Sequence, residues 1–173
     1  TIHDLLIHTS GLIYDFDYEK TLEENVRELV KMPLGHQPGA LWQYSQSTTL
    51  LGYIVELLSG TDFDYFLKDN IFEPMQMSDT AFHVPEEKVD RLAALYGPAE
   101  NGGLELIESP QSSDCTKPRR LFSGSGGLLS TAPDYFRFSQ MLLNGGQLDG
   151  IQLLGPKTVD FMFRNHVPTE LLP

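Results

Sequence analysis

The sequence has little cysteine, little positive charge and no long apolar run, and each shortage excludes a class of protein. Its one cysteine, Cys115, excludes an intrachain disulfide framework. Twelve Lys and Arg residues stand against 24 Asp and Glu residues, and the formal net charge of -12 argues against nucleic acid and anionic membranes as partners. No stretch approaches the roughly 20 apolar residues of a membrane-spanning helix. These features leave the cellular compartment open.

Several catalytic signatures are also missing. The five histidines are scattered, with no His-Glu-x-x-His arrangement, so no metal site is predicted. Neither a Walker A motif nor a dinucleotide-binding glycine pattern occurs, and no cofactor is expected. Around Ser125, the first glycine of a Gly-x-Ser-x-Gly turn is replaced by Ser123. No lysine has a serine three positions before it, so the chain has no Ser-x-x-Lys nucleophile.

The residues that are present predict a mainly helical domain. A length of 173 residues suffices for one domain with its own core. Apolar residues cover most of the circumference of residues 45–58, which predicts a buried helix ended by Gly60. Thr131 opens another helix, and Tyr135 is expected on its apolar face. The other predicted helices cover residues 2–8, residues 22–30, residues 62–71 and a short stretch after Gly155.

The β content is expected to be small. Two short apolar runs flank a turn at Asn101-Gly102-Gly103, which predicts a hairpin within residues 91–108. Residues 123–127 form a glycine-rich turn. No internal repeat or linker is visible, so residues 1–173 are interpreted as one α+β domain that is predominantly helical.

Four segments, in order along the chain, carry a resemblance to a known family. The first contains Leu5-Leu6-Ile7-His8-Thr9-Ser10-Gly11-Leu12, and the second contains Tyr44-Ser45-Gln46 and the helix after it. The third covers residues 71–80 and the fourth residues 124–146. Together they resemble the serine β-lactamase and penicillin-binding-protein superfamily, in its class C β-lactamase and esterase branch.

The resemblance implies that the chain is the helical subdomain of a serine β-lactamase-like fold and a partial domain of a longer protein. The Ser-x-x-Lys segment is expected before Thr1, and the remaining sheet segment after Pro173. The implied reaction is hydrolysis or transfer of the acyl group of a carboxylic ester, through an acyl-enzyme on a serine outside this chain. We therefore expect the chain alone to be inactive. Exposed apolar surface, left without its sheet partner, also makes self-association an expectation.

By the same resemblance, Tyr44 is the general base. A free tyrosine ionises only near pH 10, and making it ionise near neutrality requires roughly 4 kcal/mol. The helix N-terminus that follows supplies up to about 2 kcal/mol. We expect the lysine of the missing Ser-x-x-Lys to supply the remainder. The alternative is that Tyr44 is only a packed aromatic beside Trp42.

The predicted substrate-binding residues are Ser45, Gln46, Gly126 and Gly127. The alternatives are a helix cap for Ser45, an inert exposed side chain for Gln46, and a plain tight turn for the two glycines. His8 is interpreted as a structural residue at a helix end. Because Gln46 stands where β-lactamases and peptidases usually have Asn, the resemblance favours esters over amides.

Two other functions stay open. One is a non-catalytic binding or scaffold domain of the same family, and the other is a β-lactamase or D-Ala-D-Ala carboxypeptidase that acts on amides.

Overall fold

The computed structural model describes residues 1–171 and is mainly helical. Its α-helices are α1 (Ile2–Leu6), α2 (Leu22–Leu29), α3 (Ser47–Ser59), α4 (Phe63–Leu67), α5 (Ala132–Leu143) and α6 (Pro156–Met162). Its strands are β1 (Leu95–Pro98), β2 (Leu104–Glu108), β3 (Gln147–Leu148) and β4 (Ile151–Gln152). A π-helical turn, Lys68–Phe72, continues α4, and short 3-10 turns cover Glu86–Arg91, Pro110–Ser112, Asp114–Thr116 and Thr169–Leu171.

The predicted helix boundaries are confirmed where a side chain or a glycine defines them. Thr1 and Thr21 each form a complete capping box with the carboxylate three residues later. Thr131 accepts the backbone N–H of Asp134 at the start of α5. Gly60 ends α3 in the left-handed region, with φ of 71°. Helix α1 ends two residues earlier than predicted.

Three apolar clusters form the core. The first lies between α2 and α4 and contains Leu22, Val26, Phe63, Phe82 and Leu121. The second joins the end of the π-helical turn to α5 through Phe72, Met75, Met77 and Met141. The third contains Leu5, Leu12 and Leu29. Leu50 of α3 packs against both the first and the third cluster, so α3 lies between them.

The prediction that α3 is a buried helix is wrong at its C-terminal end. Leu57 and Leu58, at its C-terminal end, are 63% and 84% exposed. The buried positions are instead Ser47 and Thr49, near its N-terminus, and Gly52, in its middle. Hydrophobicity alone could not identify that face, because its side chains are buried through hydrogen bonds and close backbone contact rather than through apolar packing.

Helix α5 differs from its prediction in the same way. Tyr135 is 65% exposed rather than part of the apolar face. Asp134 is buried beside it, because its carboxylate accepts the backbone N–H of Asp79 (2.7 Å) and the hydroxyl of Thr80 (2.9 Å).

The structure contains two β-hairpins, of which the sequence predicted only the first. Strands β1 and β2 pair antiparallel with a bulge at Leu95 and Tyr96, which confirms the predicted hairpin. The hairpin of β3 and β4 was not predicted. Its two-residue turn, Asp149-Gly150, has positive φ at both positions, which is the geometry that Asp-Gly favours.

Candidate functional site

Tyr44 lies at the end of an extended segment that leads into α3. This segment runs antiparallel to the residues that follow α1. Three backbone hydrogen bonds join the two segments. Gln43 N–H donates to the His8 carbonyl (2.9 Å), Gly39 N–H donates to the Thr9 carbonyl (2.8 Å), and Gly35 N–H donates to the Gly11 carbonyl (2.8 Å). The backbone before Tyr44 is therefore held by the first of the four family-like segments.

The Tyr44 ring lies between two other rings and stays half-exposed. Its centroid is 4.8 Å from that of His8, with 33° between the ring planes, and 5.8 Å from that of Tyr14. Half of the Tyr44 surface, 51%, is open to solvent. Offset aromatic contacts at these distances restrict the ring without covering it.

His8 also contacts the backbone after Tyr44. Its Nδ1 accepts the N–H of Ser45 at 3.4 Å, so Nδ1 carries no proton in this arrangement. Burial lowers the pKa of the His8 imidazole, which favours this neutral form. The backbone of His8 is left-handed, with φ of 57°. Nothing in the residue pattern links His8 with Tyr44, although the two lie in neighbouring family-like segments.

Ser45 is enclosed at the N-terminus of α3. It is 1% exposed, and its hydroxyl oxygen lies 2.8 Å from that of Ser47, which in turn lies 2.7 Å from that of Ser10. These three hydroxyls connect α3 to the segment after α1. The substrate-binding role of Ser45 stays a prediction, and its observed contacts are those of a structural residue.

Gln46 is held by Thr49, one turn further along the helix. The Thr49 hydroxyl donates to Gln46 Oε1 at 2.7 Å. Within residues 1–171 the Gln46 Nε2 group has no hydrogen-bond acceptor, so it is free to donate to a ligand. Thr49 Oγ1 also lies 2.9 Å from Ser123 Oγ and 2.7 Å from Ser125 Oγ.

These hydroxyl contacts fix the glycine-rich turn against α3. A Cβ on Gly124 would lie 2.2 Å from the carbonyl oxygen of Thr48, so only glycine allows this approach. Gly127 has φ of 100°, a left-handed conformation that favours glycine. Gly126 has open space around it.

A cleft of about 710 Å³ brings most of the predicted site residues together. Gln46, Gly126 and Gly127 line it directly, and Tyr14 connects it to Tyr44. Tyr44 stands beside the cleft rather than in its lining, and Ser45 lies behind the wall. The remaining lining residues are Phe16, Tyr18, Glu19, Asp114, Lys117, Pro118, Arg119, Arg120, Leu121, Ser123 and Ser125.

Two further observations concern residues 1–171. They contain no group of three His, Cys, Asp or Glu side chains placed to hold a metal ion. None of their helices combines the length and apolar character that crossing a bilayer requires.

Comparison with known proteins identifies the family. A family model described as Beta-lactamase matches residues 1–168. The chain belongs to the beta-lactamase family. This beta-lactamase-family chain is 32% identical over 184 residues to Protein Rv1367c of Mycobacterium tuberculosis, a match that covers 98% of the chain and 45% of that protein. It is also 30% identical to lovastatin esterase of Penicillium rubens, and this match covers 98% of the chain and 45% of that esterase.

A solved structure confirms the fold. EstCE1, described as a hydrolase with promiscuous acyltransferase activity, superposes with a TM-score of 0.80 over 99% of this chain and 52% of its own, at 24% identity. The predicted serine β-lactamase-like α+β fold is thus confirmed. The chain spans about half the length of the relatives that it matches.

Proposed function

We propose that this chain is the part of a serine esterase or acyltransferase that carries the general base, Tyr44, and one wall of the substrate cleft. The observation that carries the proposal is the Tyr44 environment. A half-exposed phenol, with backbone hydrogen bonds on both sides, stands next to a cleft in a chain of the beta-lactamase family. The name of the lovastatin esterase relative supports an ester as the substrate.

In the proposed reaction, a serine outside this chain attacks the carbonyl carbon of the ester. Tyr44, together with the lysine of the Ser-x-x-Lys segment, takes the serine proton as the C–O bond forms. That proton then passes to the departing alkoxide, and an acyl-enzyme remains. Water, or another alcohol, attacks the acyl-enzyme and releases the acid or a new ester.

The cleft residues bind the substrate in this proposal. The free Nε2 group of Gln46 donates to a carbonyl oxygen of the acyl group. Gly126 and Gly127 let the substrate approach the backbone of the glycine-rich turn, because they place no side chain in the cleft.

The test uses the full-length protein that contains this segment. With 4-nitrophenyl butyrate as substrate, Tyr44→Phe should lower kcat about 10²- to 10⁴-fold, the usual contribution of a general base. Tyr135→Phe is the matched control, since Tyr135 is also exposed but lies on α5, outside the cleft. A Tyr44→Phe variant with unchanged kcat refutes the role of Tyr44.

A fluorophosphonate probe separates the remaining possibilities. It should label a serine outside residues 1–173 in the full-length protein and no serine in the isolated chain. A labelled serine within this chain refutes the proposal. Absence of labelling in the full-length protein indicates a binding domain instead, and turnover of a chromogenic cephalosporin in preference to the ester indicates a β-lactamase.

A further inference from the structure

One wall of the cleft concentrates positive charge in an otherwise acidic chain. Lys117, Arg119 and Arg120 fall within four consecutive positions, and all three line the cleft. The lining also holds two acidic residues, Glu19 and Asp114, so three cations stand against two carboxylates there, whereas the whole chain has a formal net charge of -12.

Neighbouring carboxylates offset two of these three cations. Lys117 Nζ lies 2.6 Å from Asp114 Oδ1. Arg120 Nη2 lies 3.9 Å from Glu24 Oε2, and its Nη1 donates to the carbonyl of Glu19. Both cations are exposed, so water also solvates them.

Among residues 1–171, Arg119 has no carboxylate in direct contact, although it contributes at longer range, after Lys117, to the lowered pKa of the Asp114 carboxyl. In the part of the chain that the structure describes, no carboxylate oxygen lies within 4.0 Å of its nitrogens. Its Nη2 group donates to Cys115 Sγ at 3.4 Å, and sulfur is only a weak acceptor. Its Nε group is buried and has no hydrogen-bond partner among the described residues.

Comparison with the other cations shows that this situation is unusual. Lys31, Lys157 and Arg164 also lack a carboxylate partner among residues 1–171, but all three are exposed to water. Arg119 is half-buried. A charge withdrawn from water costs free energy unless an opposite charge or strong acceptors surround it.

Arg119 also lines a second cavity, of about 310 Å³, and among the described residues no carboxylate oxygen of that cavity lies within 4.0 Å of its nitrogens. The one acidic residue of this cavity is Asp64, whose Oδ1 is buried without a hydrogen-bond partner. Burial raises the pKa of the Asp64 carboxyl, which disfavours its ionised form.

We infer that Arg119 is an anion subsite of the cleft, and that the substrate is an ester carrying a carboxylate remote from the bond that is cleaved. This inference rests on the proposed function and names its substrate class. The planar guanidinium can hold a carboxylate through two parallel hydrogen bonds. Tyr14 and Phe16, in the same cleft, provide apolar surface for the carbon skeleton between the two groups.

The experiment compares matched esters on the full-length enzyme. On the acyl side, 4-nitrophenyl butyrate is paired with 4-nitrophenyl hydrogen succinate. On the alcohol side, phenyl acetate is paired with 4-carboxyphenyl acetate. In one of the two pairs, Arg119→Gln should lower kcat/KM for the ester that carries the carboxylate by about 10- to 100-fold. The loss should come mainly from a higher KM, as expected when a charged hydrogen bond is removed. The neutral member should be nearly unaffected, and the responding pair shows which side of the ester carries the carboxylate.

Two variants complete the test. Arg119→Lys keeps the charge but not the planar fork, so it should restore only part of the activity on the anionic ester. Arg164→Gln removes an exposed, unpaired cation outside the cleft and should leave both members unchanged. If Arg119→Gln lowers kcat/KM equally for the neutral and the anionic esters, Arg119 has a structural role. That result overturns the proposed anion subsite. A wild-type enzyme that cleaves no ester at all refutes the proposed function instead.

Discussion

The imidazole of His8 packs against the phenol ring of Tyr44, and His8 accepts hydrogen bonds from the backbone on both sides of Tyr44, one through its ring and one through its carbonyl. The His8 carbonyl accepts the N–H of Gln43, and its Nδ1 accepts the N–H of Ser45. One residue therefore fixes the position of Tyr44 through two hydrogen bonds and one ring contact. His8 is better described as a positioning residue than as a helix end.

Substitution of His8 should reveal this positioning. Alanine removes both side-chain contacts and tolerates the left-handed backbone poorly, which together should lower the free energy of unfolding by about 1–3 kcal/mol. Asparagine tolerates the left-handed backbone conformation, and its side-chain oxygen lies near the position of His8 Nδ1. The hydrogen bond from Ser45 N–H is therefore kept, and only the ring contact is lost. In the full-length enzyme, we expect kcat to fall more in His8→Ala than in His8→Asn. Urea unfolding and kcat measured on the same preparations check this, and equal losses in the two variants would contradict it.

The lowered pKa of His8 predicts a pH dependence of stability. As the pH falls, the unfolded chain binds the imidazole proton first, since the pKa of His8 in the unfolded chain is about 6.5. The contribution of His8 to stability is thus complete above that pH and is lost as the pH falls through the lower folded pKa. The difference in urea midpoint between the wild type and His8→Asn should therefore shrink on acidification.

Trp42 provides an independent readout of the same titration. It is the only tryptophan of the chain, and its ring lies edge-on to His8 with centroids 6.1 Å apart. A charged imidazolium quenches indole emission more than the neutral ring does. Emission that changes with pH in the wild type and not in His8→Asn assigns the transition to His8, and identical profiles would exclude it.

The sequence allowed prediction of features that depend on local chemistry, such as the capping box at Thr21 and the left-handed Gly60. It did not allow prediction of features that depend on distant partners. Asp134 is buried because Asp79 and Thr80, far away along the chain, donate hydrogen bonds to it. Thr49 is buried for the same kind of reason. A hydropathy pattern assigns such polar residues to the surface, because it contains no information on which polar groups form hydrogen bonds with one another in the folded chain.

Gly124 and Gly126 form a matched pair for a steric test. Gly124→Ala should lower the free energy of unfolding by about 1–3 kcal/mol, because the new methyl group would collide with the Thr48 carbonyl. Gly126→Ala meets nothing within 4 Å and should change stability by less than about 0.5 kcal/mol. Urea denaturation of both variants checks the contrast. Similar losses for the two glycines would show that the turn does not approach α3 this closely.

The isolated chain should self-associate. Leu57 and Leu58 of α3, and Phe136 and Leu143 of α5, are all more than half exposed. Apolar surface of this kind tends to be covered by a partner or by another part of the same protein. Sedimentation velocity should show a concentration-dependent increase in mass, and Leu58→Glu should reduce it. A monomer across the micromolar range would contradict the expectation.

The hydrogen bonds between Gly35 and Gly11, and between Gln43 and His8, have a kinetic consequence. They close a loop that contains the whole of α2, and closing a loop costs chain entropy before the contacts at its ends compensate for it. We therefore expect Tyr44 to reach its position only after α2 has docked. During refolding, the emission of Trp42 should change together with this loop closure and later than the formation of the helices.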